Sequence, residues 1–178
     1  MIIGIVIIAA LIITSVALLG HITTPKNKTF SQAGITFQYP DTWSSNKTFR
    51  FKNDSSNRAE VLGTIGDNKI SMAIMAINLT KQPELTNFNL STLVKLNYKL
   101  EEPNMKKLSL NETQINNFEA YEEIYLSTDP VNNLSEKNVG LLIGTKDMWY
   151  SIIFRTPESD FEKFYPKFKE IEASIILQ

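Results

Sequence analysis

Few side chains in this 178-residue sequence could carry out nucleophilic or metal chemistry. The chain contains no cysteine, and His21 is its single histidine. A Ser-His-Asp triad needs a histidine inside the folded domain, and protein zinc sites are built mainly from several histidines and cysteines. Because His21 directly follows a long apolar segment, we interpret it as a residue at a membrane boundary. We therefore predict no catalytic residue, no metal site and no cofactor.

Three neighbouring glutamates are the best candidates for acid–base chemistry. Glu119, Glu122 and Glu123 lie on one predicted strand, where Glu119 and Glu123 share a face and Glu122 points to the other. Catalysis by paired carboxylates needs two such groups about 5–9.5 Å apart in a cleft. We favour surface charge as their role, and hence a protein that is not an enzyme. A hydrolase that uses Glu122 or Glu123 is the alternative.

One loop resembles the first half of a calcium-binding EF-hand loop. Asn53, Ser55 and Asn57 place oxygen atoms at alternate positions. However, Arg58 stands where that loop requires glycine, and Thr64 stands where it requires a bidentate glutamate. We therefore interpret this segment as a solvated turn.

The apolar N-terminal segment predicts a membrane anchor. Residues 2–20 include no charged side chain, and as a helix they would span about 28 Å, close to the ~30 Å hydrocarbon core of a bilayer. We predict a transmembrane anchor at residues 1–21, a tether at 22–31 and one folded domain at 32–178. A cleaved signal peptide is the alternative, although its small-residue cleavage site, Ser15-Val16-Ala17, would lie inside the apolar run.

Two features disagree about the side of the membrane on which the domain lies. Lys26 and Lys28 flank the anchor and favour the cytoplasm under the positive-inside rule. Against them stand seven Asn-x-Ser/Thr acceptors for glycosylation, more than the composition predicts by chance. We predict an extracytoplasmic domain, and an accidental excess in an asparagine-rich chain is the alternative. The acceptors are Asn27, Asn46, Asn53, Asn78, Asn89, Asn111 and Asn133.

Charge and length limit the partners and the architecture. The 18 basic and 19 acidic side chains nearly cancel, and no basic stripe is visible, so we predict no binding to nucleic acid. About 150 residues remain after the anchor and tether, enough for one domain. Without cysteine, that domain depends on its hydrophobic core. The predicted partners are the membrane, through residues 2–20, and another envelope protein.

Hydrophobic patterns predict an α+β domain. Asn116-Asn117 is typical of a tight hairpin turn, and Asn89 is a good N-cap for a helix over 90–101. Ser159 and Glu162 match a capping box before a C-terminal helix, in which Pro166 predicts a break or kink. We expect an α/β/α-type sandwich with a central, mostly antiparallel sheet flanked by helices. The predicted strands are 35–39, 48–51, 60–65, 69–79, 107–115, 118–127, 139–145 and 148–155.

Two short motifs resemble a known family. Residues 34–43, with the sequence GITFQYPDTW, resemble the opening G-x-x-F-x-Y-P-x-x-W signature of PsbP-like domains. The closing segments WYSIIF (149–154), FYPKF (164–168) and ASI (173–175) resemble that family's last strand and C-terminal helix. The resemblance implies a sandwich around an antiparallel sheet. An anchor before a domain rich in glycosylation acceptors is similar to PsbP-related proteins of archaeal methanogens.

The resemblance also suggests a role. Plant members of the family are lumenal accessory proteins of photosystem II, but no residue of that role aligns with this chain. What the resemblance implies is a non-enzymatic domain that docks onto other proteins. We expect a membrane-anchored domain that binds or stabilises another envelope component. The alternative is a small-molecule or lipid-binding module, with a pocket between sheet and helices lined by Met72, Met75, Phe161 and Phe168.

Overall fold

The computed structural model describes residues 26–46, 59–100, 104–128 and 133–178. The predicted anchor, His21, the strand over 48–51 and the loop around Asn53 lie outside these ranges. Among the helices within them, none combines the length and the apolar composition needed to cross a bilayer.

The described strands form two antiparallel sheets. The large sheet has the order β3-β4-β5-β9-β8-β7-β6, and the small sheet has the order β1-β2-β10. Consecutive strands are mostly joined as hairpins, as the sequence predicted. The strands are β1 (Asn27–Gln32), β2 (Ile35–Pro40), β3 (Ser44–Asn46), β4 (Glu60–Gly66), β5 (Ser71–Asn78), β6 (Met105–Ile115), β7 (Phe118–Thr128), β8 (Ser135–Gly144), β9 (Met148–Pro157) and β10 (Ile176–Leu177).

Two α-helices cover opposite faces of the large sheet. Helix α1 (Leu90–Lys99) connects β5 to β6, after two short 3₁₀ helices at Leu79–Lys81 and Pro83–Asn87. Helix α2 (Phe161–Ala173) follows β9 and the 3₁₀ turn Glu158–Asp160. The predicted layering of helices on both sides of an antiparallel sheet is therefore confirmed for the described residues.

The small sheet begins inside the segment expected to be a tether. Residues 27–32 form β1, which pairs with β2 through a turn in which Ala33 and Gly34 have positive φ values of 49° and 84°. Phe30 stacks on Phe37 with a centroid separation of 4.9 Å. Tyr150 fixes the turn from the large sheet, because its hydroxyl donates a hydrogen bond of 2.7 Å to the Ala33 carbonyl.

Local turn chemistry explains the hairpins of the large sheet. Asn116 and Asn117 adopt positive φ values of 49° and 68°, as their side chains permit. In the turn between β4 and β5, the Asp67 carboxylate accepts hydrogen bonds from the backbone amides of Lys69 and Ile70 at 2.8 and 3.0 Å. These turns fix the register that sends alternate residues of each strand to opposite faces.

The start of α2 differs from its prediction. The helix begins at Phe161, preceded by Asp160, and no side chain caps it, so the predicted capping box at Ser159 is wrong. The Glu162 carboxylate instead accepts a hydrogen bond of 3.1 Å from Lys137. The predicted break at Pro166 is also absent, because α2 runs through it. Losing one backbone hydrogen bond is offset by the burial of Phe161, Phe168 and Ile171, a tertiary contribution that local propensity does not include.

The main core lies between α2, the small sheet and one face of the large sheet. Its members include the completely buried Phe37, Ile74, Ile152 and Phe154. Phe154 stacks between Phe168 and Trp43, with ring centroids 5.2 and 6.4 Å away. A smaller cluster of Leu90, Val94 and Tyr121 holds α1 on the other face. The two faces of the sheet are therefore packed very differently.

Candidate binding site

Helix α1 is fixed at both ends. At its N-terminus, the Asn89 Oδ1 accepts a hydrogen bond of 2.7 Å from the Thr92 amide, which confirms the predicted N-cap. At its C-terminus, the Lys107 ammonium on β6 donates to the carbonyls of Asn97 and Leu100, the latter at 2.9 Å. Such a cation also interacts favourably with the negative end of the helix dipole. The helix is thus held to β6 through Lys107.

The first turn of α1 lies very close to the sheet. A Cβ atom at Gly144 would come within 3.0 Å of the Leu90 Cδ2, so the absence of a side chain there permits this approach. Leu90 and Val94 are buried beside Tyr121. Burial is the main cause that raises the pKa of Tyr121, and a hydrogen bond from its hydroxyl to Glu119 adds to this shift.

A cavity of about 230 Å³ lies between α1 and the large sheet. Leu93 and Val94 form its wall on the helix side, and Met75 and Ile77 contribute from β5. Trp149, on β9, also lines it. These positions share one face because Met75, Ile77 and their cross-strand partners point the same way in the pleat. The wall is predominantly apolar.

Three polar side chains interrupt this apolar wall: Asn97 on α1, Ser151 on β9 and Glu123 on β7. Glu123 is only 9% exposed and Glu122 only 6%, so the prediction that these glutamates are surface charges is wrong for both. A carboxylate in such surroundings loses hydration, and its interaction with a nearby cation is stronger than in bulk water. The cavity can therefore accept an apolar group, with a few polar side chains in its wall.

Exposed leucines continue the apolar surface along α1. Leu93, Leu96 and Leu100 are spaced three and four residues apart and follow one side of the helix. Leu96 and Leu100 are 56% and 62% exposed, whereas Leu93 lines the cavity. Single exposed leucines are common in soluble proteins, but a row of them beside an apolar cavity is typical of an interaction surface.

The structure places this cavity elsewhere than the sequence suggested. Met72, Phe161 and Phe168 are at most 2% exposed and belong to the main core beneath α2. Of the four predicted residues, only Met75 lines the cavity. Met72 and Met75 are three positions apart on one strand and so point to opposite faces. This spacing was the signal in the sequence that the two could not share a pocket.

The predicted glutamates are not brought together as a catalytic pair. Glu123 faces α1, while Glu122 faces α2, as the strand alternation predicted. Glu119 accepts a hydrogen bond of 2.6 Å from the Tyr121 hydroxyl. Among the described residues, no group of three or more histidine, cysteine, aspartate or glutamate side chains could hold a metal ion.

Sequence reasoning missed a charge cluster beneath α2. Lys169 lies 2.9 Å from the Glu122 carboxylate and 2.5 Å from the Glu172 carboxylate, and Tyr165 donates a 3.0 Å hydrogen bond to Glu122. Burial raises the pKa of Glu172, although Lys169 opposes this shift. Burial lowers the pKa of Lys169, but its contacts with Glu172 and Glu122 outweigh this effect and raise it overall. The i, i+3 spacing of Lys169 and Glu172 was the available signal.

The predicted glycosylation acceptors have different environments. Asn27, Asn89, Asn111 and Asn133 are exposed, and Asn78 is half-buried. The Oδ1 atoms of Asn78 and Asn89 already accept hydrogen bonds that cap short helices. Asn46 lies in β3, and Asn53 lies outside the described residues. Exposure makes modification sterically feasible at four of these asparagines.

Comparisons with known structures agree on the fold. The chain is similar to cyanobacterial PsbP (CyanoP) from Synechocystis, with a TM-score of 0.57, 12% identity, and coverage of 89% of this chain and 96% of that one. It is similar to LpqN of Mycobacterium tuberculosis, which is involved in cell envelope biogenesis, with a TM-score of 0.53, 11% identity, and coverage of 86% and 91%.

A third similar structure is larger than this chain. A protein of Bacteroides thetaiotaomicron gives a TM-score of 0.55 and 13% identity over 85% of this chain, and the match spans about half (48%) of that protein. By sequence, no family model and no curated protein matches. These likenesses, together with the observed order of strands and helices, show that the chain has a PsbP-like fold.

Proposed function

We propose that this protein is a membrane-anchored, extracytoplasmic and non-enzymatic domain that binds or stabilises another component of the cell envelope. The uncharged apolar segment at residues 2–20 supports the anchor, and the number of glycosylation acceptors supports the location. The similar structures of cyanobacterial PsbP and LpqN support an accessory role, since LpqN is involved in cell envelope biogenesis.

The observation that carries this proposal is the cavity beneath α1 with its adjacent exposed leucines. Protein interfaces gain most of their affinity from a few side chains that fill pockets on the partner. The cavity offers such a pocket, and Leu96 and Leu100 extend the apolar surface around it. The opposite directions of Glu122 and Glu123 support a binding role over a carboxylate-dependent hydrolase.

A small-molecule or lipid-binding role is the second candidate, and the same cavity favours it. Small-molecule pockets usually measure about 300–1,000 Å³. The observed cavity, of about 230 Å³, is slightly smaller and would suit a compact ligand. Native mass spectrometry of the purified protein distinguishes the two roles. A bound small molecule in a fixed ratio supports the second, and an empty domain supports protein docking.

The location can be tested in intact cells of the source organism, which we infer to be an archaeal methanogen. External protease should digest the domain, and glycopeptide mass spectrometry should find glycans at exposed acceptors such as Asn111 and Asn133. A domain that is degraded only after the cells are lysed, and that carries no glycan, would place it in the cytoplasm and refute this part of the proposal.

A further inference from the structure

We propose that the domain faces the bilayer with the end of the large sheet that carries the turn between β4 and β5, so that α1 presents its exposed leucines to a partner embedded in the same membrane. This inference rests on the proposed function, because it uses the predicted anchor at residues 2–20. It adds the orientation of the domain and the kind of partner that the docking surface, formed by the cavity with Leu96 and Leu100, would fit.

The connection between the anchor and β1 is short. Gly20 ends the apolar segment, and Lys26 is six residues further along the chain. A fully extended chain covers at most about 3.6 Å per residue, so these two residues lie no more than about 22 Å apart. The folded part includes Lys26 itself, because its carbonyl accepts a hydrogen bond of 3.1 Å from the Asp41 amide. The domain is therefore held close to the end of the anchor.

The connection reaches one particular end of the large sheet. The Trp43 carbonyl accepts a hydrogen bond of 3.0 Å from Lys28, and Trp43 stacks on Phe154 near the end of β9. The next residue, Ser44, pairs with Gly66 at the end of β4. The chain therefore enters the domain beside the turn between β4 and β5.

The opposite end of the sheet carries the turn between β8 and β9, where the Thr145 amide donates a hydrogen bond of 2.8 Å to the Met148 carbonyl. Strand β9 runs from this turn toward the end at which the chain enters, and its ten residues span about 31 Å. To place the β8–β9 turn on the bilayer, the connection would have to run back along the domain for that distance. Because its limit is about 22 Å, the domain cannot turn over.

Helix α1 runs toward the membrane-facing end. Its first turn lies beside the β8–β9 turn, since Leu90 would be 3.0 Å from a Cβ atom at Gly144. Its last turn lies beside Lys107, whose ammonium donates to the Leu100 carbonyl at 2.9 Å. Lys107 and Ser44 belong to one row of paired residues across the sheet, so Leu100 lies near the level at which the chain enters. The row consists of Ser44, Gly66, Ser71, Arg155, Asn138, Tyr125 and Lys107.

A partner embedded in the membrane fits this position. Leu96 and Leu100 are 56% and 62% exposed on the last turns of α1, so a segment that covers them would lie close to the bilayer. A component fixed in the same bilayer holds its own juxtamembrane residues at this level. Anchoring both molecules in one membrane also raises their effective concentration, as a linker does. The inferred partner is therefore an integral membrane protein that presents a segment beside the bilayer.

Single-cysteine labelling tests the orientation. The chain contains no cysteine, so Asn68→Cys in the β4–β5 turn and Lys146→Cys in the β8–β9 turn each provide one site for a nitroxide. Both positions are exposed. In full-length protein reconstituted in phosphatidylcholine vesicles with nickel-chelating headgroups, relaxation enhancement should be strong at position 68 and absent at position 146. Equal enhancement in protein that stays with the vesicles would overturn the inference alone, whereas protein that separates from the vesicles would refute the anchor as well.

Two spacers test the kind of partner. A helical glutamate-alanine-lysine spacer of about 30 residues, inserted between residues 25 and 26, would lift the domain by up to about 45 Å, whereas a glycine-serine linker of equal length lets it return. A photoreactive amino acid at Leu96 should cross-link an integral membrane protein in native membranes. The helical spacer should abolish this product, and the flexible linker should retain it. A cross-link that survives the helical spacer would overturn the inference but leave docking in place, and no cross-link from the unchanged chain would refute both.

Discussion

Replacing Lys169 with methionine tests the charge cluster beneath α2. Lys169 is the cation between Glu122 and Glu172, whose residue exposures are 6% and 7%. Methionine keeps most of the apolar length of lysine but removes its charge. The variant would therefore leave two buried carboxylates close together without a cation. Its stability reports the contribution of the ion pairs more than that of packing.

The expected loss follows from the distances and from the exposure of the lysine. Two unit charges about 3 Å apart attract by about 5–6 kcal/mol at an effective dielectric constant of about 20, before the cost of desolvation. Removing one partner of a buried pair typically costs about 3–5 kcal/mol. Because the Lys169 side chain is 43% exposed and water screens it, we expect a smaller loss of about 2–3 kcal/mol.

The pH dependence has a definite sign. Burial raises the pKa of Glu172 above its unfolded value, so the folded state binds a proton more readily than the unfolded state. Between these two pKa values, the free energy of unfolding falls as pH rises. Glu172→Gln removes this penalty and leaves Lys169 paired with Glu122. It should therefore be neutral or stabilising at pH 7, and its advantage over the unchanged protein should shrink as the pH falls toward 4.

Urea denaturation at pH 7 and pH 5 is the assay. Lys169→Met should lose less stability at pH 5, where protonation relieves the repulsion between the carboxylates, and Glu172→Gln should restore part of the loss. Lys167→Met is the matched control, because Lys167 pairs with the 66%-exposed side chain of Glu170 on the same helix. That control should change stability by less than about 1 kcal/mol. Equal midpoints for the two lysine variants would refute the argument.

Three further predictions concern the fold. Gly66→Ala should lower the free energy of unfolding by about 1–3 kcal/mol in urea denaturation, because a Cβ atom there would lie 2.0 Å from the Ile70 carbonyl oxygen. Gly140→Ala is the control and should lower it much less, because a Cβ atom there would have no contact under 3.8 Å. Asn89→Ala should remove the N-cap of α1 and cost about 1 kcal/mol in the same assay. Burial raises the pKa of Tyr150, so its titration, followed as the difference in absorbance at 295 nm between the unchanged protein and Tyr150→Phe, should occur above pH 10; a difference that titrates at or below pH 10 would contradict this.

The sequence predicted the elements whose causes are local. The hairpin around Asn116 and Asn117 needed only residues that tolerate positive φ, and the structure confirms it. Strand β2 was visible because Ile35, Phe37 and Tyr39 alternate with less buried neighbours. In each case the residues that determine the conformation are adjacent in the chain, so their pattern alone was sufficient.

Elements that depend on distant partners were missed. Strand β1 buries only Phe30, so its sequence shows no alternation, and it forms because it pairs with β2 and stacks on Phe37. The charge cluster joins β7 to α2 across 47 residues, between Glu122 and Lys169. The cavity depends on how closely α1 approaches the sheet, which no local pattern encodes. For the cavity, the sequence predicted only which residues of β5 and β7 point to the same face of the sheet.

Site-specific photo-cross-linking in native membranes tests the central claim, that the protein docks an envelope component through the surface around the cavity. A photoreactive amino acid at Leu96 should yield one abundant cross-linked envelope protein. The same group at the exposed Lys163, on the opposite side of the sheet, should not. Ser151→Leu should eliminate the cross-link from position 96. Equal cross-linking from both positions, or no cross-linked protein from position 96, would contradict docking through this surface.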